Sequence, residues 1–218
     1  MPLQAVLLDL DDTLHDKSAT VALVGTRQHE RWALSNRGIE LESWLSRYVV
    51  LNNERIEKTK VFSTLAEEFG LPKALERELL ADFDSGLGAS AVAYPGARQL
   101  LAWCRKSSLK VGVVTNGRDA FQRSKIKGMG LDGLIDAVLT SGGFGSKKPD
   151  LAIFRACLEQ LAVEPHQAAF VGDDFAADMQ PALELGMLAV WRSAKTSSAV
   201  AFSSESLEEI HTFLRGEA

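Results

Sequence analysis

Five short apolar runs punctuate the chain, each closed by polar or glycine residues: AVLL at 5–8, KVGVV at 110–114, DAVLT at 136–140, AAFVG at 168–172 and MLAVW at 187–191. Runs of this length without polar alternation read as strands buried on both faces. Between the later runs lie stretches of helical periodicity at 119–127, 151–161 and 176–185. Strand and helix in alternation predict an α/β fold, a Rossmann-like parallel sheet core with helices on both faces. Asp119, with Gln122 three residues on, predicts a capping box at the start of the 119–127 helix.

Residues 18 to about 85 carry a different pattern, with helical spacing and no comparable strand run, so a small helical module is inserted after the first strand. Phe62, Leu65 and Phe69 recur at helical spacing and stop at Gly70. Pro72 then suits the first turn of a helix presenting Leu75, Leu79 and Phe83 on one face. Trp32 and Trp44 are expected in the same core, because so short a module needs its large apolar side chains for packing. Residues 15–18 on one side, and Gly86, Gly88, Pro95 and Gly96 on the other, suit a two-strand hinge. The expected division is a core of residues 1–16 and 90–218 around an insert of 17–89.

Composition narrows the function classes. A chain of 218 residues, 46% hydrophobic and 24% charged, accommodates one sizeable core plus a smaller module. Its net charge of -5 offers no general basic surface, so neither nucleic acid nor an anionic membrane is an expected partner. Cys104 and Cys157 both sit among apolar residues in helical patterns, which predicts buried reduced thiols rather than a disulfide. The chain opens directly on QAVLLDLDDTL, with no basic leader and no long apolar segment, so a cytoplasmic location is expected.

Polar clusters follow three of the predicted strands. They are Asp9-Leu10-Asp11-Asp12-Thr13, then Thr115-Asn116-Gly117, and then Gly172-Asp173-Asp174 with Asp178 beyond and Lys148 upstream, before Pro149. A parallel sheet gathers such clusters at one edge, where open α/β folds bind ligands. Alternate acids directly after a buried strand can supply a nucleophile and a separate proton carrier.

LLDLDDTL, VVTNG, KKPD and VGDDFAAD resemble, in order and spacing, the four motifs of the haloacid dehalogenase superfamily. The resemblance covers nearly all of the chain outside the insert, which falls where that family carries a type 1 helical cap. QRSKIKGMGL and VGDDFAADMQPALELGM are similar to phosphatases of small phosphorylated metabolites. Leu151 departs from the common KPDP at a position expected to start a helix, away from the chemistry.

The resemblance implies that Asp9 attacks phosphorus to form an aspartyl-phosphate, while Asp11 protonates the leaving oxygen and then activates water. It implies Mg²⁺ held by Asp9, the Asp11 backbone carbonyl and Asp173, with Asp178 nearby or acting through water. Thr115, Asn116 and Gly117 are the implied phosphate binders, Lys148 the fixed positive charge, and Asp12 and Asp174 supporting residues. Charge chemistry agrees: a phosphate monoester repels an anionic nucleophile until the site neutralises it, and Mg²⁺ takes hard oxygen ligands.

The expected activity is hydrolysis of small phosphorylated metabolites, nucleoside monophosphates or sugar phosphates, by a monomer or homodimer. A 2-haloacid dehalogenase has no use for a metal or a second acid, so Asp11 and Asp173 favour phosphate. A phosphomutase would share every motif. A phosphonatase would need a cap lysine, for which Lys17, Lys58 and Lys60 are available, and a non-enzymatic phospho-ligand binder would not need every charged position retained. Arg27, Arg31, Arg47, Asn52, Asn53 and Arg55, with His15, are the candidates for reading the leaving group.

Overall fold

The computed structural model describes residues 2–54 and 56–218. They form two compact units, Met1–Asp16 with Ala93–Ala218, and Lys17–Val92. The second unit is helical: α1 (Lys17–Arg31), α2 (Leu41–Asn53), α3 (Lys58–Glu68) and α4 (Lys73–Gly86). Its interior is aromatic. Trp44, Tyr48, Phe62 and Phe83 are all buried, and successive ring centroids lie 5.2, 5.9 and 5.5 Å apart. Burying each such side chain contributes roughly 1.5–3 kcal/mol, which a module of this size requires. Trp32, expected in this core, is instead half-buried, with its indole N–H donating to Glu78 at 2.8 Å. The polar end of the ring draws it to the rim.

The first unit holds one sheet of six parallel strands: β1 (Ala5–Leu8), β2 (Lys110–Thr115), β3 (Ala137–Thr140), β4 (Ala168–Gly172), β5 (Leu188–Trp191) and β6 (Phe202–Ser203). Their order is β3-β2-β1-β4-β5-β6. All five predicted runs are strands, with ends within one residue. The two-residue β6 corresponds to no predicted run, being too short and too exposed to show an apolar pattern. The helices of this unit are α5 (Ala97–Lys106), α6 (Asp119–Gly128), α7 (Ser141–Phe144), α8 (Leu151–Leu161), α9 (Gln180–Glu184) and α10 (Leu207–Glu217).

Alternation along β1 divides the core in two. Val6 and Leu8 join Leu100, Cys104 and Ile210 on one face, while Ala5 and Leu7 join Phe154, Cys157 and Met179 on the other. Gly112 in β2 permits the second layer to sit close, since a Cβ there would lie 2.7 Å from Cys157 Sγ. The two thiols are unpaired, and burial pushes both up to about 12. No helix among the described residues is long and apolar enough to cross a membrane.

Strand order reverses at β1, with β2 and β3 on one side and β4 to β6 on the other. Ligands of such sheets bind beyond the carboxyl ends of the strands at this switch point. Leu8 pairs with both Val113 and Val171, so Asp9 emerges level with Val114 and Gly172. Thr115 and Asp173 follow one residue later on the neighbouring strands.

Candidate active site

Asp9 leaves β1 with its carboxylate nearly buried, 8% of the residue being exposed. Lys148, in the loop before α8, reaches it with Nζ 2.7 Å from Asp9 Oδ1 and 2.6 Å from Asp178 Oδ1. Asp178 lies in a π-helical turn (Phe175–Met179) that opens the predicted 176–185 helix. Such wide turns recur at functional sites. The Asp174 carboxylate caps this turn, accepting the N–H groups of Ala176 and Ala177 at 3.0 Å. Gly172 lets Asp178 come in, because a Cβ at 172 would collide with its carboxylate.

Oxygens of Asp9, Asp173 and Asp178 lie within 4.8 Å of one another. Burial, then the charge of Asp9, pushes Asp173 and Asp178 up to about 7. Burial alone would lower Lys148, but Asp9 and Asp178 outweigh it and hold the ammonium charged. Three carboxylates against one ammonium leave excess negative charge on hard oxygen ligands. That donor set fits Mg²⁺.

The residues after β2 divide their roles. Thr115 is buried, and its Oγ accepts a hydrogen bond from Gln122 Nε2 at 2.7 Å. Asn116 and Gly117, expected at the phosphate, direct polar groups into the protein. The Asn116 amide donates to the Lys148 carbonyl at 3.1 Å and accepts the Lys148 N–H at 2.9 Å, while the Gly117 N–H donates to Ser141 Oγ at 2.9 Å. Asn116 thereby fixes the backbone that carries Lys148.

Asp11 turns its carboxylate toward α6. Lys125 Nζ lies 2.8 Å from both of its oxygens, His15 Nδ1 is 2.6 Å from Oδ1, and Gln122 Nε2 donates to Oδ2 at 3.1 Å. Burial would raise this acid, but Lys125 and His15 overcome it and hold the carboxyl well below the usual range. His15, a candidate for reading the leaving group, is only 1% exposed and faces Asp11. Asp12 has a φ of 57° and its carbonyl accepts Arg192 Nη1 at 2.7 Å.

The predicted capping box is absent. Arg118 is the residue before α6 and makes no side-chain cap, Asp119 accepts the Thr140 hydroxyl at 2.7 Å, and Gln122 faces the site. Gln122 and Lys125 escaped the sequence reading. Their spacing of three residues, on the helix that directly follows the second motif, was the available signal.

The polar residues of the insert have partners within their own unit. Arg27 and Arg31 both reach Asp82 at 2.7 Å, Arg47 pairs with Glu68, and Asn53 donates to Ser18. Asn52 is buried and accepts Lys58 Nζ at 3.0 Å, which places that lysine in the packing of the unit. Arg55 lies outside the described residues.

Comparison with known proteins identifies the family. The family model for haloacid dehalogenase-like hydrolase matches residues 3–186. Phosphoserine phosphatase from Thermus thermophilus is 30% identical over 220 residues, covering 87% of this chain and 88% of that protein. Glyceraldehyde 3-phosphate phosphatase from Methanocaldococcus jannaschii is 26% identical over 200 residues, covering 86% and 84%. The crystal structure of a HAD phosphatase from Thermococcus onnurineus matches at a TM-score of 0.66 and 28% identity, covering 99% of both chains. A family match over most of the chain, joined to a phosphatase relative aligned along close to nine-tenths of both proteins, makes this chain a member of the haloacid dehalogenase-like hydrolase family and an enzyme of its phosphatase branch.

Proposed function

We propose that the chain is a Mg²⁺-dependent phosphatase of small metabolites, nucleoside monophosphates or sugar phosphates among them, working through an aspartyl-phosphate on Asp9. The observation that carries this reading is the bridge from Lys148 to Asp9 and Asp178, with Asp173 in the same cluster. Relatives whose names specify phosphoserine and glyceraldehyde 3-phosphate support a small leaving group. The helical unit occupies the sequence position of the family's type 1 cap.

Each side chain has a separable task. Lys148 pairs with Asp9 at 2.7 Å and offsets phosphate charge. An Asp9 oxygen forms a bond to phosphorus as the bond to the leaving oxygen breaks, and Asp11, ionised in the free site, takes up a proton as the anionic phosphate enters beside it and passes that proton to the leaving oxygen. Asp11 then takes a proton from water as the water oxygen attacks phosphorus, which frees phosphate and restores Asp9. Thr115 donates its hydroxyl to a phosphoryl oxygen. Asp9, Asp173, Asp178 and the Asp11 carbonyl would hold Mg²⁺, which would supply the remaining neutralisation of charge.

Phosphate release from a panel of phosphorylated metabolites, with Mg²⁺ and with a chelator, tests the reading. Turnover should require the metal and should fall sharply in Asp173→Ala at limiting Mg²⁺. Near wild-type activity in that variant would overturn the metal assignment, and no turnover across the panel would overturn the function.

A further inference from the structure

We infer that Gln122 and Lys125 are positioning residues for two groups of the reaction, Gln122 setting the direction of the Thr115 hydroxyl and Lys125 the orientation of the Asp11 carboxylate. The inference rests on the phosphatase reading above. Residues three apart on a helix share a face, and here that face of α6 is buried: Gln122 is 1% exposed and Lys125 4%. Apolar Ile126, next along α6, lies in the core cluster beneath the sheet's face.

Donor and acceptor chemistry fixes which end of Gln122 faces the site. An ionised carboxylate and a backbone carbonyl only accept, and the Gln122 amide group lies 3.1 Å from Asp11 Oδ2 and 3.2 Å from the Asn116 carbonyl. The nitrogen must therefore be the end that points there. The same nitrogen lies 2.7 Å from Thr115 Oγ, which makes that oxygen an acceptor. The Thr115 hydrogen is then directed elsewhere, and no acceptor in the chain takes it among the described residues. It is left for a phosphoryl oxygen.

Lys125 acts on Asp11 in a comparable way. Its equal 2.8 Å contacts to both oxygens fix the plane of the carboxylate, and the adjacent Phe121 ring, with its centroid 4.9 Å from Nζ, shields one side of the ammonium. His15 Nδ1 completes the setting on Oδ1. An acid and base so held keeps one geometry through both halves of the reaction.

The test compares an alkyl phosphate with p-nitrophenyl phosphate, whose departing phenolate needs little protonation, in wild type, Lys125→Met, Lys125→Arg and Gln122→Leu. Because Lys125 touches substrate only through Asp11, Lys125→Met should lower kcat for the alkyl ester at least about tenfold more than for the aryl ester. KM should stay within about threefold, and Lys125→Arg should recover most of the selective loss. In an Asp11→Asn background, Lys125→Met should add no further selectivity.

Gln122→Leu should lower kcat at least about tenfold for both esters, and should weaken binding of inorganic phosphate in calorimetry by a similar factor. If Lys125→Met fails to fold, Lys125→Gln, which keeps a donor without the charge, carries the same comparison. Equal losses for both esters in the Lys125 variants, tracking their melting temperatures, overturn the role of Lys125. Unchanged phosphate affinity in Gln122→Leu overturns that of Gln122. A wild type inactive on every ester overturns the phosphatase reading, and the inference with it, whereas an active wild type with equal losses overturns the inference alone.

Discussion

Replacing Lys148 with Met removes the ammonium that bridges Asp9 and Asp178 at 2.7 and 2.6 Å. Asp9, Asp173 and Asp178 then remain within 4.8 Å of one another without the ammonium that paired with two of them. At that separation each ionised pair repels by roughly 3.5 kcal/mol for an effective dielectric of about 20. Breaking a buried ion pair by removing one partner costs about 3–5 kcal/mol. In a protein of this size that corresponds to a melting temperature lowered by roughly 6–20 °C in chelator.

Mg²⁺ should restore most of this loss, because it enters a cluster that has lost its competing cation. Calorimetric titration should show Mg²⁺ bound by Lys148→Met at least as tightly as by wild type. Turnover should nevertheless fall about 10²–10³-fold, the scale of losing one preorganised electrostatic group. Tight metal and slow chemistry together form the signature. Weaker Mg²⁺ binding would mean that Lys148 organises the metal ligands, and a melting temperature and kcat close to wild type would refute the electrostatic reasoning altogether.

Asn116→Ala should lower kcat while leaving KM within about threefold, because its amide holds the Lys148 backbone from both sides. A rise in KM alone would return Asn116 to direct phosphate binding; the stability cost, read by denaturant titration, should be about 1–3 kcal/mol. The two buried thiols, pushed up to about 12 from an ordinary value of 9.0, should resist an aromatic disulfide reagent at pH 8 and react only on unfolding. The folded state retains thiol protons that the unfolded chain loses, so this contribution is complete below about pH 9 and declines as pH rises toward 12. Denaturant midpoints across that window should fall, and a rise would contradict the assigned burial.

The strands were legible because a parallel sheet covered on both faces demands uninterrupted apolar runs, as AVLL and AAFVG show. Both segments match their strands residue for residue. The clustering of Asp9, Asp173, Asp178 and Lys148 followed from the same fact, since parallel strands end at one edge. What escaped was the reach of side chains. Asn116 and Gly117 follow a strand as phosphate-binding residues would, and the sequence does not show that the Asn116 side chain also packs on Lys148 and the Gly117 N–H on Ser141. Gln122 matched a capping pattern in sequence, and only the path of α6 shows that it faces Thr115 and Asp11. His15 read as a candidate for contacting the leaving group because sequence does not reveal burial of a single polar side chain.

Covalent catalysis by Asp9 is open to direct measurement. Rapid mixing of the Asp11→Asn variant with p-nitrophenyl phosphate and Mg²⁺, followed by acid quench and peptide mass spectrometry, should find phosphate attached to Asp9, since loss of the base slows hydrolysis of the aspartyl-phosphate more than its formation. Asp9→Asn should show neither that adduct nor turnover. Steady turnover by Asp9→Asn, verified free of deamidation, would contradict attack by Asp9.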